Sequence, residues 1–186
     1  TSNQEKCSML EKAIKHDISI YACHTNADNV FEGVNNKIAE KLGLKNIQIL
    51  KLSADKENIG AGMIGELDIS LMGDEILDYV RDKMELFNFK YTEVPEKRIR
   101  KIAICGGAGS FLIGNAIASN ADVFISSDIK YHEFFEATED MSIIDIGHYE
   151  SERFTIELFG QVLSAKFPNI ALQFSEVNTN PVKYFK

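Results

Sequence analysis

Two short segments far apart in this 186-residue chain carry residue types that can hold a divalent metal. Cys23, His24, Thr25, Asn26, Ala27 and Asp28 form the first; Gly147, His148, Tyr149, Glu150, Ser151 and Glu152 form the second. Each follows an apolar run that ends in potential ligands. If the fold brings them together, imidazole and carboxylate groups converge on one point, the composition of a divalent-metal hydrolytic site.

His148 and Glu152 stand four apart at a helix entrance, so one helical turn places both side chains on one face. A neutral imidazole and a carboxylate suit Zn, Fe or Mn, and a carboxylate can bridge two ions. The ordinary alternative is a helix N-terminus at which Ser151 caps and Glu152 complements the dipole. Asp28 is either the next carboxylate ligand or the N-cap of a helix over residues 30–42. His24 either orients a substrate or hydrogen-bonds to backbone at a strand end, and strand alternation aims Cys23 the other way, into the core. His132 is a candidate proton shuttle or a helix-surface histidine, and Glu150 a surface carboxylate.

The glycine-rich run from Gly106 to Ser110 could present backbone amides to an anion. It is not a Walker loop, because no Gly-Lys-Ser/Thr follows, and Leu112 stands where a dinucleotide fingerprint needs its third glycine. A plain tight turn between strand and helix explains it equally well.

The elements that must position these residues alternate. Apolar spacing predicts helices over residues 5–15, 30–42, 73–87, 112–119, 131–138 and 151–167. Strands are predicted over 18–22, 46–51, 59–67, 89–94, 99–104, 123–126, 143–146 and 170–174. This alternation predicts an α/β fold with mixed, largely parallel sheets flanked by helices. In such sheets ligand sites lie beyond the carboxyl ends of the strands, where each segment with chemical potential falls.

Composition bounds the rest. With 45% hydrophobic residues the chain can build a sizeable core. A net charge of −8 gives no basic footprint for nucleic acid and would be repelled by anionic lipid. No apolar run approaches the roughly 20 residues needed to span a bilayer. The polar start from Thr1 to Lys6 is no signal peptide, which predicts a cytoplasmic protein. Cys7, Cys23 and Cys105 form no Cys-x-x-Cys pair, so reduced thiols are expected rather than a disulfide framework. The start at Thr1 without an initiator methionine predicts that an N-terminal portion is absent.

Five motifs in order carry a resemblance across nearly the whole chain. They are His24-Thr25-Asn26-x-Asp28 with Gly33-Val34-Asn35, then Gly60-x-Gly62-x-x-Gly65-Glu66-Leu67, then Cys105-Gly106-Gly107-x-Gly109. Asp128-x-Lys130-Tyr131-His132 and Gly147-His148-Tyr149-x-Ser151-Glu152 complete the series. The chain resembles the dinuclear-metal-centre hexameric protein family, the NIF-three-like proteins often labelled GTP cyclohydrolase I type 2 homologues. The resemblance implies a toroidal homohexamer, a trimer of dimers, of two-lobed α/β subunits with two divalent ions in a cleft between the lobes. It implies Asp28, His148 and Glu152 as metal ligands, with Glu152 bridging, and a small-molecule substrate.

Family members also draw ligands from a His-His-Pro motif upstream of the first helix, which this chain lacks; its metal set is therefore expected to be incomplete as given. Residues 1–51 would form part of the first lobe and residues 52–186 the remainder of the core. Many members carry an inserted domain of roughly a hundred residues, on the order of a small independent domain. It is expected between Lys51 and Leu52 in the gene product. The function expected is metal-dependent hydrolysis, with His24 and His132 handling protons or orienting substrate. The rival is a non-catalytic, metal-stabilised hexameric scaffold or regulatory adaptor.

Overall fold

A computed structural model describes residues 3–54 and 58–185. Its strands are β1 (Lys45–Leu52), β2 (Gly60–Met72), β3 (Lys90–Tyr91), β4 (Arg98–Ala108), β5 (Val123–Ser127) and β6 (Ser142–Asp145). Its helices are α1 (Asn3–Lys15), α2 (Thr25–Asp28), α3 (Val34–Lys41), α4 (Glu75–Lys83), α5 (Ile113–Ala118), α6 (His148–Glu152) and α7 (Thr155–Lys166), with 3₁₀ turns at Ser110–Leu112 and Tyr131–Glu136.

The strands form one mixed sheet in the order β1-β2-β4-β5-β6-β3. Only β4-β5 and β5-β6 pair in parallel; β1-β2, β2-β4 and β3-β6 are antiparallel. The sheet is therefore less parallel than the alternation of elements predicts. Parallel pairing needs a crossover connection. The segment carrying α5 supplies one between β4 and β5, and the segment with the 3₁₀ turn Tyr131–Glu136 supplies the other. The connection from β1 to β2 is a hairpin. Lys51 and Leu52 are consecutive residues of β1, opposite Ala61 and Gly60.

Both faces of the parallel strands are covered, so β5 and β6 are buried at every position. On one face Ile102, Ile104, Val123, Ile125 and Ile144 pack against Val34 and Ile38 of α3, Leu42 just after it, and Ile76 and Val80 of α4. On the other, Ala103, Cys105, Phe124 and Ile143 pack against Leu112, Ile113 and Ala116. The period-two alternation along each strand is thus shared between two cores.

The run over 18–22 is not a strand, although its composition predicts one. Ile18, Ile20 and Tyr21 are exposed, and among the described residues no strand pairs with them. β-propensity reflects fit to a pleated, half-buried surface, and here no such surface is supplied. The run over 170–174 likewise stays out of the sheet; Phe174 instead lies where a side chain at Gly160 would stand. The helix predicted over 151–167 is two helices. At the break the Arg153 guanidinium donates to the carbonyls of Met84 and Glu85, and Phe154 turns into the core.

Helices α3 and α7 are tied by charge. Lys37, with only 10% of its side chain exposed, lies 3.3 Å from Glu157, and Lys41 lies 3.1 Å from the other oxygen of the same carboxylate. The hydrogen bond from Lys41, reinforced by Lys37, holds the Glu157 carboxyl below the usual carboxylate range. Glu157→Gln is expected to cost about 1 kcal/mol at neutral pH, the upper end for a partly exposed pair. A depressed folded pKa stabilises above the unfolded carboxylate value, and that contribution disappears as pH falls through the folded value. Urea denaturation at neutral and acidic pH checks this: the gap between wild type and variant should close on the acid side.

Candidate metal centre at the strand ends

The carboxyl ends of β5 and β6 lie side by side, and the chain turns sharply after each. Asp128, directly after β5, adopts φ +55°, a left-handed conformation that Asp reaches more readily than most residues. Gly147, just after β6, adopts φ +90°, where a side chain would be strained. These turns aim Asp128 and His148 at each other. His148 Nδ1 and Asp128 Oδ2 are 2.7 Å apart, and His148 Nε2 lies 3.5 Å from Glu152 Oε2.

The imidazole thus spans two carboxylates, one at each ring nitrogen. Asp128, by its hydrogen bond, raises the His148 pKa. Burial raises the Glu152 carboxyl, opposed by the charges of His148 and His24. Asp28 is raised by burial as well and lowered by the same two histidines. Asp28, His24, His148 and Glu152 therefore share one electrostatic neighbourhood.

Asp28 does not cap the long helix. It ends α2, and the N-cap of α3 is Gly33, without a side-chain capping bond. Its backbone carbonyl accepts from Asn35 Nδ2 at 2.9 Å, which ties the end of α2 to α3. His24 is exposed before α2, its ring nitrogen 3.0 Å from Thr25 Oγ1. His132 is exposed in the turn Tyr131–Glu136, and there its charge acts on Glu133.

Two further readings are corrected by the structure. Ser151 does not cap the helix N-terminus; its hydroxyl accepts from the Gly107 amide at 2.9 Å and donates to the His148 carbonyl at 2.8 Å. Gly106 and Gly107 are not an open anion loop, because both belong to β4 and both amides are engaged. Gly106 N–H donates to Asn35 Oδ1 at 2.8 Å, as Gly107 N–H does to Ser151. The glycines are there for close approach: a Cβ on Gly106 would meet Ile38 at 2.9 Å. Cys105 lies behind the site, and burial pushes its thiol up to about 12.

The donor set fits a metal in chemistry. Two donor atoms 3.5 Å apart have the spacing of ligands that share one ion at about 2.1 Å each. Among the described residues, however, no three His, Cys, Asp or Glu side chains converge tightly enough to hold an ion. Beside the pair opens a cavity of about 770 Å³, bordered by Phe89, Lys90, Glu150 and Tyr184. Its far wall is the C-terminal segment, fastened where Asn180 Nδ2 donates to Glu150 at 3.1 Å.

A profile of Duf34/NIF3 (NGG1p interacting factor 3) matches residues 1–181. The chain belongs to this family. It is 33% identical over 181 residues to a Campylobacter jejuni protein named GTP cyclohydrolase 1 type 2 homolog, covering 96% of this chain and 67% of that one. A Clostridium perfringens protein of the same name is 34% identical over 140 residues, which are 75% of this chain and 53% of the relative. The chain thus spans about half to two thirds of the length of these relatives. The crystal structure of a Staphylococcus aureus hypothetical protein superimposes with a TM-score of 0.85 at 28% identity, covering 94% of this chain and 71% of that one.

In this Duf34/NIF3 chain, sequence reasoning passed over Asp128 as a site residue. The available signal was an acidic residue directly after the short strand Val123–Ser127, where α/β sheets place their sites. A carboxylate on one ring nitrogen fixes the histidine tautomer and leaves the other nitrogen as a donor to metal. Asp128→Asn is expected to weaken divalent-ion binding by about 10–100-fold with little change in fold. Calorimetric titration with Zn²⁺ or Mn²⁺, alongside circular dichroism, reads both; unchanged affinity would contradict the role.

Proposed function

We propose that this Duf34/NIF3 protein is a divalent-metal protein that hydrolyses a small molecule, with Asp28, His148 and Glu152 as metal ligands. The observation that carries the reading is the His148–Glu152 donor pair at 3.5 Å, oriented from behind by Asp128 at 2.7 Å. When bound, a divalent ion supplies Lewis acidity and a water of lowered pKa. The chain's own residues do the rest. Asp128 keeps a proton on His148 Nδ1, so that Nε2 presents its lone pair toward Glu152. His24, whose charge acts on Asp28, would accept or return a proton, and His132 would serve as a second, exposed proton carrier. The cavity bordered by Phe89 and Tyr184 gives a small substrate room next to the donors.

The name GTP cyclohydrolase 1 type 2 homolog belongs to the relatives; for this chain it supports a hydrolytic reading without selecting a substrate. Two ions per subunit, two lobes around a metal cleft, a homohexamer and a cytoplasmic location are parts of the same reading, supported by family membership. Among the described residues no helix is long and apolar enough to cross a membrane.

Metal analysis of the protein, followed by a turnover screen against nucleotides, phosphoesters and cyclic amides, tests the proposal. Metal-dependent turnover is expected. Full loading without turnover, together with loss of the oligomer on chelation, would favour the scaffold instead.

A further inference from the structure

The two turns that bring Asp128 and His148 together are fastened to one buried carboxylate. Asp145, the last residue of β6, is only 3% exposed. Its Oδ2 accepts from the Ile129 amide at 3.2 Å, in the residue directly after Asp128. Its Oδ1 accepts from the Gly147 amide at 3.1 Å, in the residue directly before His148. Lys90, from edge strand β3, closes on Oδ2 at 2.6 Å and offsets the charge.

We propose that Asp145 is the positioning residue of the site: one carboxylate holds both loop turns and thereby sets the Asp128–His148 contact. Three features argue for this beyond ordinary core satisfaction. The amides come from different loops, after β5 and after β6, so one carboxylate ties both turns beyond the Ile146–Ser126 backbone bond that joins the strand ends. Both turns pass through positive φ, at Asp128 (+55°) and Gly147 (+90°), and the two amides that Asp145 accepts belong to these turns. An ammonium and two amides satisfy the buried carboxylate in its ionised form, as buried charge requires. Asp145 touches neither Glu152 nor the imidazole through these bonds; it acts through the backbone of their neighbours.

The contacts lie within the chain itself and are independent of what His148 binds. The Asp145→Asn variant preserves shape but offers one acceptor oxygen in place of two. Whichever way the amide turns, one of the two backbone N–H groups then faces an NH₂ donor, and the loop carrying it is released. The Lys90→Met variant removes the ammonium and leaves both backbone bonds intact.

The test is nitrogen NMR of the His148 ring in metal-free protein, at a pH well above the ordinary histidine range, so that tautomers and not protonation are read. The expected result is a predominant Nδ1–H tautomer in wild type and in the Lys90→Met variant, with that preference reduced about tenfold in the Asp145→Asn variant. Divalent-ion affinity should fall with it, by about 10-fold or more, as when a supporting partner of a ligand is lost. An unchanged His148 tautomer in Asp145→Asn, even with lowered melting temperature, would overturn the proposal and leave Asp145 a structural residue. Amide exchange in the unmodified protein supplies a check that needs no variant: Ile129 and Gly147 should be protected together, and rapid exchange of both would overturn it too. Absence of metal binding in every variant, with the tautomer changing as expected, would sink the metal reading while leaving this one standing.

Discussion

Glu152→Ala is expected to lower divalent-ion affinity by more than about 100-fold, since loss of a supporting partner one shell further out already costs about 10–100-fold. Glu152 supplies the carboxylate oxygen 3.5 Å from His148 Nε2, and without it the imidazole is left with no neighbouring donor of the shared pair. The fold should survive. Glu152 is half-buried near Asp28 and Asp128, whose negative charges oppose its own ionisation. Removing one of three clustered carboxylates relieves repulsion, so the melting temperature of the metal-free variant should equal or exceed that of wild type. Metal content after purification and a thermal melt followed by circular dichroism read the two quantities separately. Full metal loading in the variant would remove Glu152 from the site.

Gly107→Ala should damage the same site by a different route. Gly107 has φ +64°, and a Cβ there would stand 2.5 Å from Glu152 Oε1 and 3.5 Å from the His148 ring. The left-handed backbone with a side chain costs about 1–2 kcal/mol, and the Glu152 carboxylate must swing away from His148. A control separates these effects. Gly73 is also left-handed, φ +47°, but a Cβ there meets nothing within 4 Å. Gly73→Ala should therefore lose similar stability in chemical denaturation while keeping metal affinity, whereas Gly107→Ala should lose both. Equal affinity in the two variants would show that the carboxylate tolerates the intrusion.

These two experiments probe what was hidden in the glycine-rich run. Its composition was compatible with an anion cradle, yet the Gly106 and Gly107 amides donate to Asn35 and Ser151, residues 71 and 44 positions away. Local sequence cannot say which distant side chain will claim an amide. The same limit applies to residues 18–22 and 170–174, where β-branched and aromatic composition was clear but no neighbouring strand edge was provided.

The sequence by itself determined the apolar faces of α3 and α4, the buried strands β4 to β6 and the positions of the chemical residues at strand ends. These follow from periodicities of 3.6 and 2, which are properties of a few adjacent residues. It also determined that His148 and Glu152 share a helical face, since four-residue spacing fixes that locally. Only the tertiary structure decided that Asp28 ends a short helix instead of capping the long one, that Asp128 lies on His148 Nδ1, and that Asp145 fastens both turns. The Ile129–Asp145 and Asp128–His148 contacts join residues 16 and 20 positions apart at the ends of parallel strands. Their partners are chosen by strand order, bulges and left-handed turns, and not by any pattern within one element.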